Sequence, residues 1–184
     1  MKFVILTFSA LLLLLSNVAK QDVPKGAAFK KEFSARINKV RQKGCSCGKQ
    51  YMKPVPPLVW NDQLEDAAMG HAKDMYKKNY FSHDSRDGRK IVDRIEAAGY
   101  TRKGFRSYQI GENIAQGQPS IAEVTEGWLK SEGHCFNLMQ PGFKEIGVAY
   151  YNTYWVQDFG GREEFSAEAK KMLETGKAKI IERN

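Results

Sequence analysis

Apolar residues along the chain fall into one block and several periodic stretches. The block comes first: Phe3 to Leu15 is almost wholly apolar, behind Met1-Lys2 and ahead of Ser16-Asn17-Val18-Ala19. It is shorter than the roughly 20 residues that span a bilayer. A positive start, a short apolar run and a small residue at the exit form the layout of a secretory signal peptide. Residues 1–19 are therefore expected to be a cleaved leader and 20–26 a short linker. No later segment is apolar enough to cross a membrane, so the expected product is exported and soluble.

Beyond the leader the period becomes helical. Phe29, Phe33, Ile37 and Val40 recur at helix spacing, and Gly44 stands where a helix ends. Pro54, Pro56 and Pro57 exclude regular helix over 45–57. Asn61 is a helix cap, followed by the stripe Leu64, Ala68, His71 and Met75. A third helix is expected over 89–98, closed by Gly99. After Gly104 the pattern shortens to a strand, Ser107 to Gly117. Ser120 and Glu123 form a capping box that opens a helix with Ile121, Val124 and Trp128 inward. That helix is expected to end just before His134. Gly147–Asn152 and Thr153–Phe159 read as two strands joined by a tight turn. From Gly161 the residues are mainly charged, giving a tail over 161–184 that is helical or partly disordered. Helices, a strand, a helix and two strands fit an α+β fold, with helices packed on an antiparallel sheet.

Composition narrows this picture. The 184 residues suit one domain, and 42% hydrophobic against 27% charged residues can build a core. The 29 basic and 21 acidic residues leave a net charge of +8, which favours anionic surroundings. The basic residues never form a run of five, so a nucleic-acid tail is disfavoured. Three cysteines are too few for a disulfide scaffold. A Cys45–Cys47 bridge is geometrically demanding. The alternatives are one long bridge from this pair to Cys135, with a thiol left over, or a metal site on the Cys-x-Cys pair. Signatures of zinc proteases, serine hydrolases and phosphate-binding loops are missing. Of the three histidines, His71 lies on an apolar stripe and reads as core. His83 and His134 stand beside turns, where functional side chains project.

The ordered motifs then add a resemblance. Ile37-Asn38-Lys39-Val40-Arg41, Pro57-Leu58-Val59-Trp60-Asn61, Tyr80-Phe81-Ser82-His83 and Gly111-Glu112-Asn113-Ile114-Ala115 come first. Trp128 to His134, Phe143 to Tyr150 and Tyr154 to Gly160 follow. In this order they resemble the CAP superfamily of cysteine-rich secretory and pathogenesis-related-1-like proteins, in its bacterial branch. The resemblance implies a domain over 27–160 folded as a three-layer α-β-α sandwich with a small central antiparallel sheet. It also implies a cleft lined by two histidines and two acids. His83 and His134 match the histidines and are the expected metal ligands, for zinc or another divalent ion. Glu112 matches the first acid. The second acid position falls on Ser131, a departure from the animal and plant pattern, and Glu132 beside it should point elsewhere. Glu112 and Ser131 are the candidate catalytic residues if any chemistry occurs.

Two imidazoles are fewer protein ligands than the three usual at catalytic zinc. The preferred reading is thus a secreted or periplasmic, monomeric, non-catalytic binding module for a small apolar or anionic ligand. Lipid, polysaccharide or an anionic envelope component are the partners considered. A metal-dependent hydrolase and an envelope-associated structural protein are the alternatives.

Overall fold

Every residue from Tyr154 to Gly161 is buried, which places that strand in the middle of the molecule. In the computed structural model, which describes residues 23–180, it belongs to β6 (Tyr154–Glu163). The expected leader, 1–19, lies outside the described residues. On one side β6 pairs antiparallel with β4 (Ser107–Gln116), and on the other with β5 (Glu145–Tyr151). A two-residue strand, β3 (Val59–Trp60), adds to β5 in parallel, so the order is β3-β5-β6-β4.

Side chains that alternate along β6 serve opposite faces. Trp155 and Phe159, with Ile146 and Val148, meet Phe29, Phe33 and Ile37 of α1 (Gly26–Lys43) and Ile121, Val124 and Trp128 of α4 (Ile121–Lys130). Tyr154 and Val156, with Ile114 and Ala149, meet Ala68, Ala72 and Met75 of α2 (Asp62–Lys78). Helices thus cover both faces, which is the expected three-layer α-β-α sandwich. Helix α2 lies so close to the sheet that a β-carbon on Gly147 would run into the backbone of Leu64 and Glu65. Glycine is required there.

Local chemistry sets the element ends. The Asn61 side chain accepts hydrogen bonds from the Gln63 and Leu64 amides, capping α2. Ser120 accepts from the Glu123 amide, but its hydroxyl donates to the Glu123 carboxylate, so only half of the expected box forms. The β5–β6 turn is Asn152-Thr153, both with positive φ, as two-residue hairpin turns demand.

Two elements depart from the sequence reading. After α4 the chain breaks at Ser131 and restarts as α5 (Glu132–Met139), so His134 lies inside a second short helix. Strand β6 runs to Glu163, because Gly161 and Arg162 pair with Gln109 and Tyr108. Next, α6 (Ala167–Glu174) buries no residue. A hairpin of β1 (Cys45–Cys47) and β2 (Gln50–Met52) fills part of the proline-rich stretch. Cys47 and Cys135 are disulfide-bonded, which fixes that hairpin to α5 and leaves Cys45 as the free thiol. Helix α3 (Ile91–Ala97) packs Ile95 against Leu64 and Ala67 in the first turns of α2. Among the described residues no helix is long and apolar enough to cross a membrane.

The Asn38 and Arg41 pair of α1 joins distant segments. Asn38 exchanges two hydrogen bonds with the Leu58 backbone. Arg41 is fully buried and donates to the carbonyls of Pro56, Leu138, Gln140 and Phe143. Burial without an acidic partner lowers its pKa to about 10. Arg41→Leu would strand four carbonyls, at roughly 1–3 kcal/mol for each buried group left unsatisfied. The variant is expected to lose at least about 3 kcal/mol in denaturant unfolding. A loss below about 0.5 kcal/mol, the level of an ordinary surface change, would contradict that role.

Candidate functional site

Edge strand β4 brings the first acid to the site. Glu112 stands opposite Asp158 of β6 in register, so the two side chains leave the same face as Ile114 and Val156. That face is covered by α2 and α3, and the Glu112 side chain is only 2% exposed. A carboxylate buried this deeply needs a compensating charge. Arg94 of α3 supplies it, donating to Glu112 Oε2 at 2.7 Å. The other terminal nitrogen of Arg94 donates to the carbonyls of His83 and Arg89 and to Ser85 Oγ. One guanidinium therefore holds both the acid and the loop that carries the first histidine.

That loop leaves α2 through Asn79, whose left-handed backbone turns the chain. His71, buried on the α2 stripe, bonds through Nε2 to the Ser82 carbonyl, one residue before His83. His83 then sets Nδ1 2.7 Å from Glu112 Oε1. With Glu112 ionised, Nδ1 carries the proton and donates. This leaves Nε2 as the free nitrogen on a ring that is half exposed.

His134 approaches from the other side of β4. Its carbonyl accepts from Asn113 Nδ2, while Asn137, one turn on, donates to the Glu112 carbonyl and to Asn113 Oδ1. These amides stitch α5 to the strand that bears the acid. Ser131, at the α4–α5 junction, makes no side-chain capping bond. The Glu132 carboxylate lies against Gly48 of the β1–β2 turn, away from the histidines. The position of a second acid is thus held by a neutral hydroxyl.

Electrostatics separate the ionisable groups. The hydrogen bond to Glu112 raises His83 above the usual imidazole range, against the opposing effect of burial. Burial, and then the neighbouring His83, lowers His134. Burial is also the main cause that lowers His71. For Glu112 burial pulls upward, but His83 and Arg94 together hold it below the ordinary carboxylate value. Asp158, fully buried opposite Glu112, is driven far upward, by burial first and the Glu112 charge second.

The donor set can be tested against a metal. His83 offers Nε2 with a carboxylate on its other nitrogen, an arrangement that orients metal-bound histidines. His134 is held neutral and offers a second nitrogen. Among the described residues only the three cysteines bring three potential ligand atoms within 4.8 Å of one another, so the histidine cleft has no third protein ligand in place. Two imidazole nitrogens are chemically suited to a divalent ion, but they would leave most of its coordination positions to water. Sequence reasoning missed Arg94, Asn137 and Asp158. Arg94 lies 18 residues from its partner with no motif around it. Asn113 and Asp158 were visible only as letters within longer motifs.

The structure is a three-layer sandwich whose edge strand presents a buried glutamate to a loop histidine, with a second histidine on a short helix packed on the same strand. The sequence model of the cysteine-rich secretory protein (CAP) family matches residues 35–159, and the chain belongs to that family, in its bacterial branch. It is 33% identical over 138 residues to the uncharacterized protein YkwD of Bacillus subtilis, covering 74% of this chain and 48% of YkwD. To the uncharacterized membrane protein YlbC of the same organism it is 36% identical over 103 residues, covering 55% of this chain and 28% of YlbC. The chain thus spans about half or less of these relatives. A solved structure of an extracellular SCP-domain protein from Bacillus anthracis is 30% identical, with a TM-score of 0.56, covering 74% of this chain and 44% of that one.

Two titrations test this electrostatic order. Histidine ring signals followed by NMR against pH should show one residue, His83, titrating above 6.5, and His71 and His134 below it. His83 titrating lowest would contradict the Glu112 contact. Asp158 has a raised folded pKa. Its contribution to stability is therefore fully present below the ordinary carboxylate range and lost as pH rises through the folded value. Asp158→Asn keeps the shape without the titrating proton, so the fall in melting temperature as pH rises above the ordinary carboxylate range should flatten. An unchanged pH profile would show that Asp158 is ionised in the fold.

Proposed function

We propose that this protein acts outside the cell as a binding module, whose cleft holds one exchangeable divalent cation on His83 and His134 and through it a small anionic ligand. The observation that carries this reading is the fully engaged state of Glu112. One carboxylate oxygen bonds to His83 and the other to Arg94, and the group is buried. A general base for hydrolysis must reach a water at hydrogen-bond distance. Both Glu112 oxygens already have partners and the carboxylate is only 2% exposed, so its remaining lone pairs face protein rather than a substrate water, and Ser131 carries no charge. Both facts favour binding over the metal-dependent hydrolase alternative.

When bound, the cation would supply Lewis-acid positions for an anionic oxygen ligand. The chain's own residues do the rest. Glu112 keeps the His83 proton on Nδ1, Arg94 keeps Glu112 charged, and the low pKa of His134 keeps its ring neutral. The net charge of +8 favours anionic partners such as envelope components or acidic lipid headgroups. The extracellular character of the Bacillus anthracis relative and the leader-like residues 1–19 support export.

Zinc titration of the oxidised full chain by calorimetry tests the assignment. One ion should bind, and His83→Ala with His134→Ala should abolish it while circular dichroism stays native. Because His83 must lose its proton to bind, affinity should fall as pH drops through a value above 6.5, by about tenfold per unit once protonation dominates. Undiminished binding by the double variant, or flat affinity from pH 5 to 8, would reject histidine ligation. Metal-dependent peptide or ester hydrolysis by the wild type that Glu112→Gln abolishes would favour the hydrolase instead.

A further inference from the structure

The β1–β2 hairpin carries chemistry that the cleft does not use. Cys45 and Cys47 are two residues apart in an extended strand, so both thiols leave the same face. That face meets Cys135 of α5. All three sulfurs lie within 4.8 Å of one another, with Cys45 Sγ 3.7 Å from Cys135 Sγ. Cys47 and Cys135 are fully buried and Cys45 partly so. Met139, buried, and Met52, partly buried, belong to the same apolar cluster, with Val40, Val55, Leu129 and Phe136. Five sulfur-bearing side chains thus share one cluster of the core.

The arrangement of the sulfurs is a triangle. Thiol–disulfide exchange proceeds by attack along the bond being broken. Attack of Cys45 on Cys135 would set the Cys45 and Cys47 sulfurs about 5.7 Å apart, the sum of the observed approach and an ordinary S–S bond. They lie closer than that. Thiolates about 2.3 Å from a shared cation, by contrast, sit about 3.7–4.0 Å apart. Three thiols and an apolar surround with thioether neighbours suit a soft monovalent ion better than zinc, which takes four ligands.

We infer that the reduced protein holds one soft d10 cation of the copper(I) class on Cys45, Cys47 and Cys135. The oxidised and metal-bound forms exclude each other. A thiol or phosphine reductant supplies two electrons, and with two protons from solvent the Cys47–Cys135 bond opens to two thiols. The cation then binds sulfur and displaces thiol protons to solvent. Cys45, spare in the oxidised form, completes the site in the reduced one.

The test uses the full chain, reduced by a phosphine under anaerobic conditions and titrated with copper(I) against a chromophoric competitor. One equivalent should bind, and X-ray absorption should show three sulfur neighbours at about 2.3 Å. Cys45→Ser leaves the disulfide and the histidine cleft intact when oxidised. When reduced it should bind copper(I) more than about a hundredfold less tightly, beyond the loss expected for a merely supporting contact. Equal affinity in the two proteins, or nitrogen from His134 in place of sulfur, would overturn the assignment. Should reduction loosen the fold, copper(I) must restore the near-ultraviolet dichroism and raise the melting temperature. A reduced chain that takes up no copper and regains no structure overturns it as well.

Discussion

Burying the charge of Glu112 is the constraint around which the site is organised. A carboxylate on the inner face of an edge strand, covered by α2 and α3, would be untenable without Arg94. Removing either partner of such a pair typically costs about 3–5 kcal/mol, whereas replacing both by apolar groups is often harmless. The pair is therefore poorly explained by stability. Its geometric consequence is clearer. The same guanidinium that neutralises Glu112 gathers the carbonyls of His83 and Arg89. The loop carrying His83 takes its position from the acid that then orients the His83 ring. Asp158, opposite Glu112 in the sheet, has its pKa driven well upward by burial and then by the Glu112 charge.

Helix α5 is the element shared by the two sulfur and nitrogen centres. Consecutive residues on a helix point about 100° apart, so His134 and Cys135 serve different surroundings. His134 belongs to the cleft. Cys135 turns into the core and bonds to Cys47. The helix is short and is held at three points: by the disulfide, by the amides of Asn113 and Asn137, and by Arg41 through the Leu138 carbonyl. This explains how an eight-residue helix, which would be marginal alone, can present a ligand in a fixed place.

Much of this was legible in the sequence where the signal is local and periodic. The stripes of α1 and α2, the Asn61 cap and the β5–β6 turn are set by neighbours within a few residues, and they stand where the pattern put them. The resemblance carried by the ordered motifs also named His83 and Glu112, which a hydrogen bond joins. What escaped notice is non-local or weakly encoded. Helix α5 contains Gly133 and follows a break at Ser131, so no stripe announces it. Extension of β6 past Gly160 depends on partners in β4 about 50 residues away. Arg94 has no motif, and its role appears only when α3 is laid over β4. Cys45 and Cys47 are nearly equivalent in the chain, and only the hairpin decides which of them reaches Cys135 in covalent contact.

The central claim is that a buried, fully engaged Glu112 orients His83 for binding and takes no part as ligand or base. A crystal structure of the oxidised protein soaked in zinc tests it most directly. The account predicts one ion on His83 Nε2 and a ring nitrogen of His134, water in the remaining positions, and Glu112 still bonded to His83 Nδ1 and Arg94. An ion bound directly by Glu112 with the Arg94 contact broken, or a cleft whose histidines hold no ion, would contradict it.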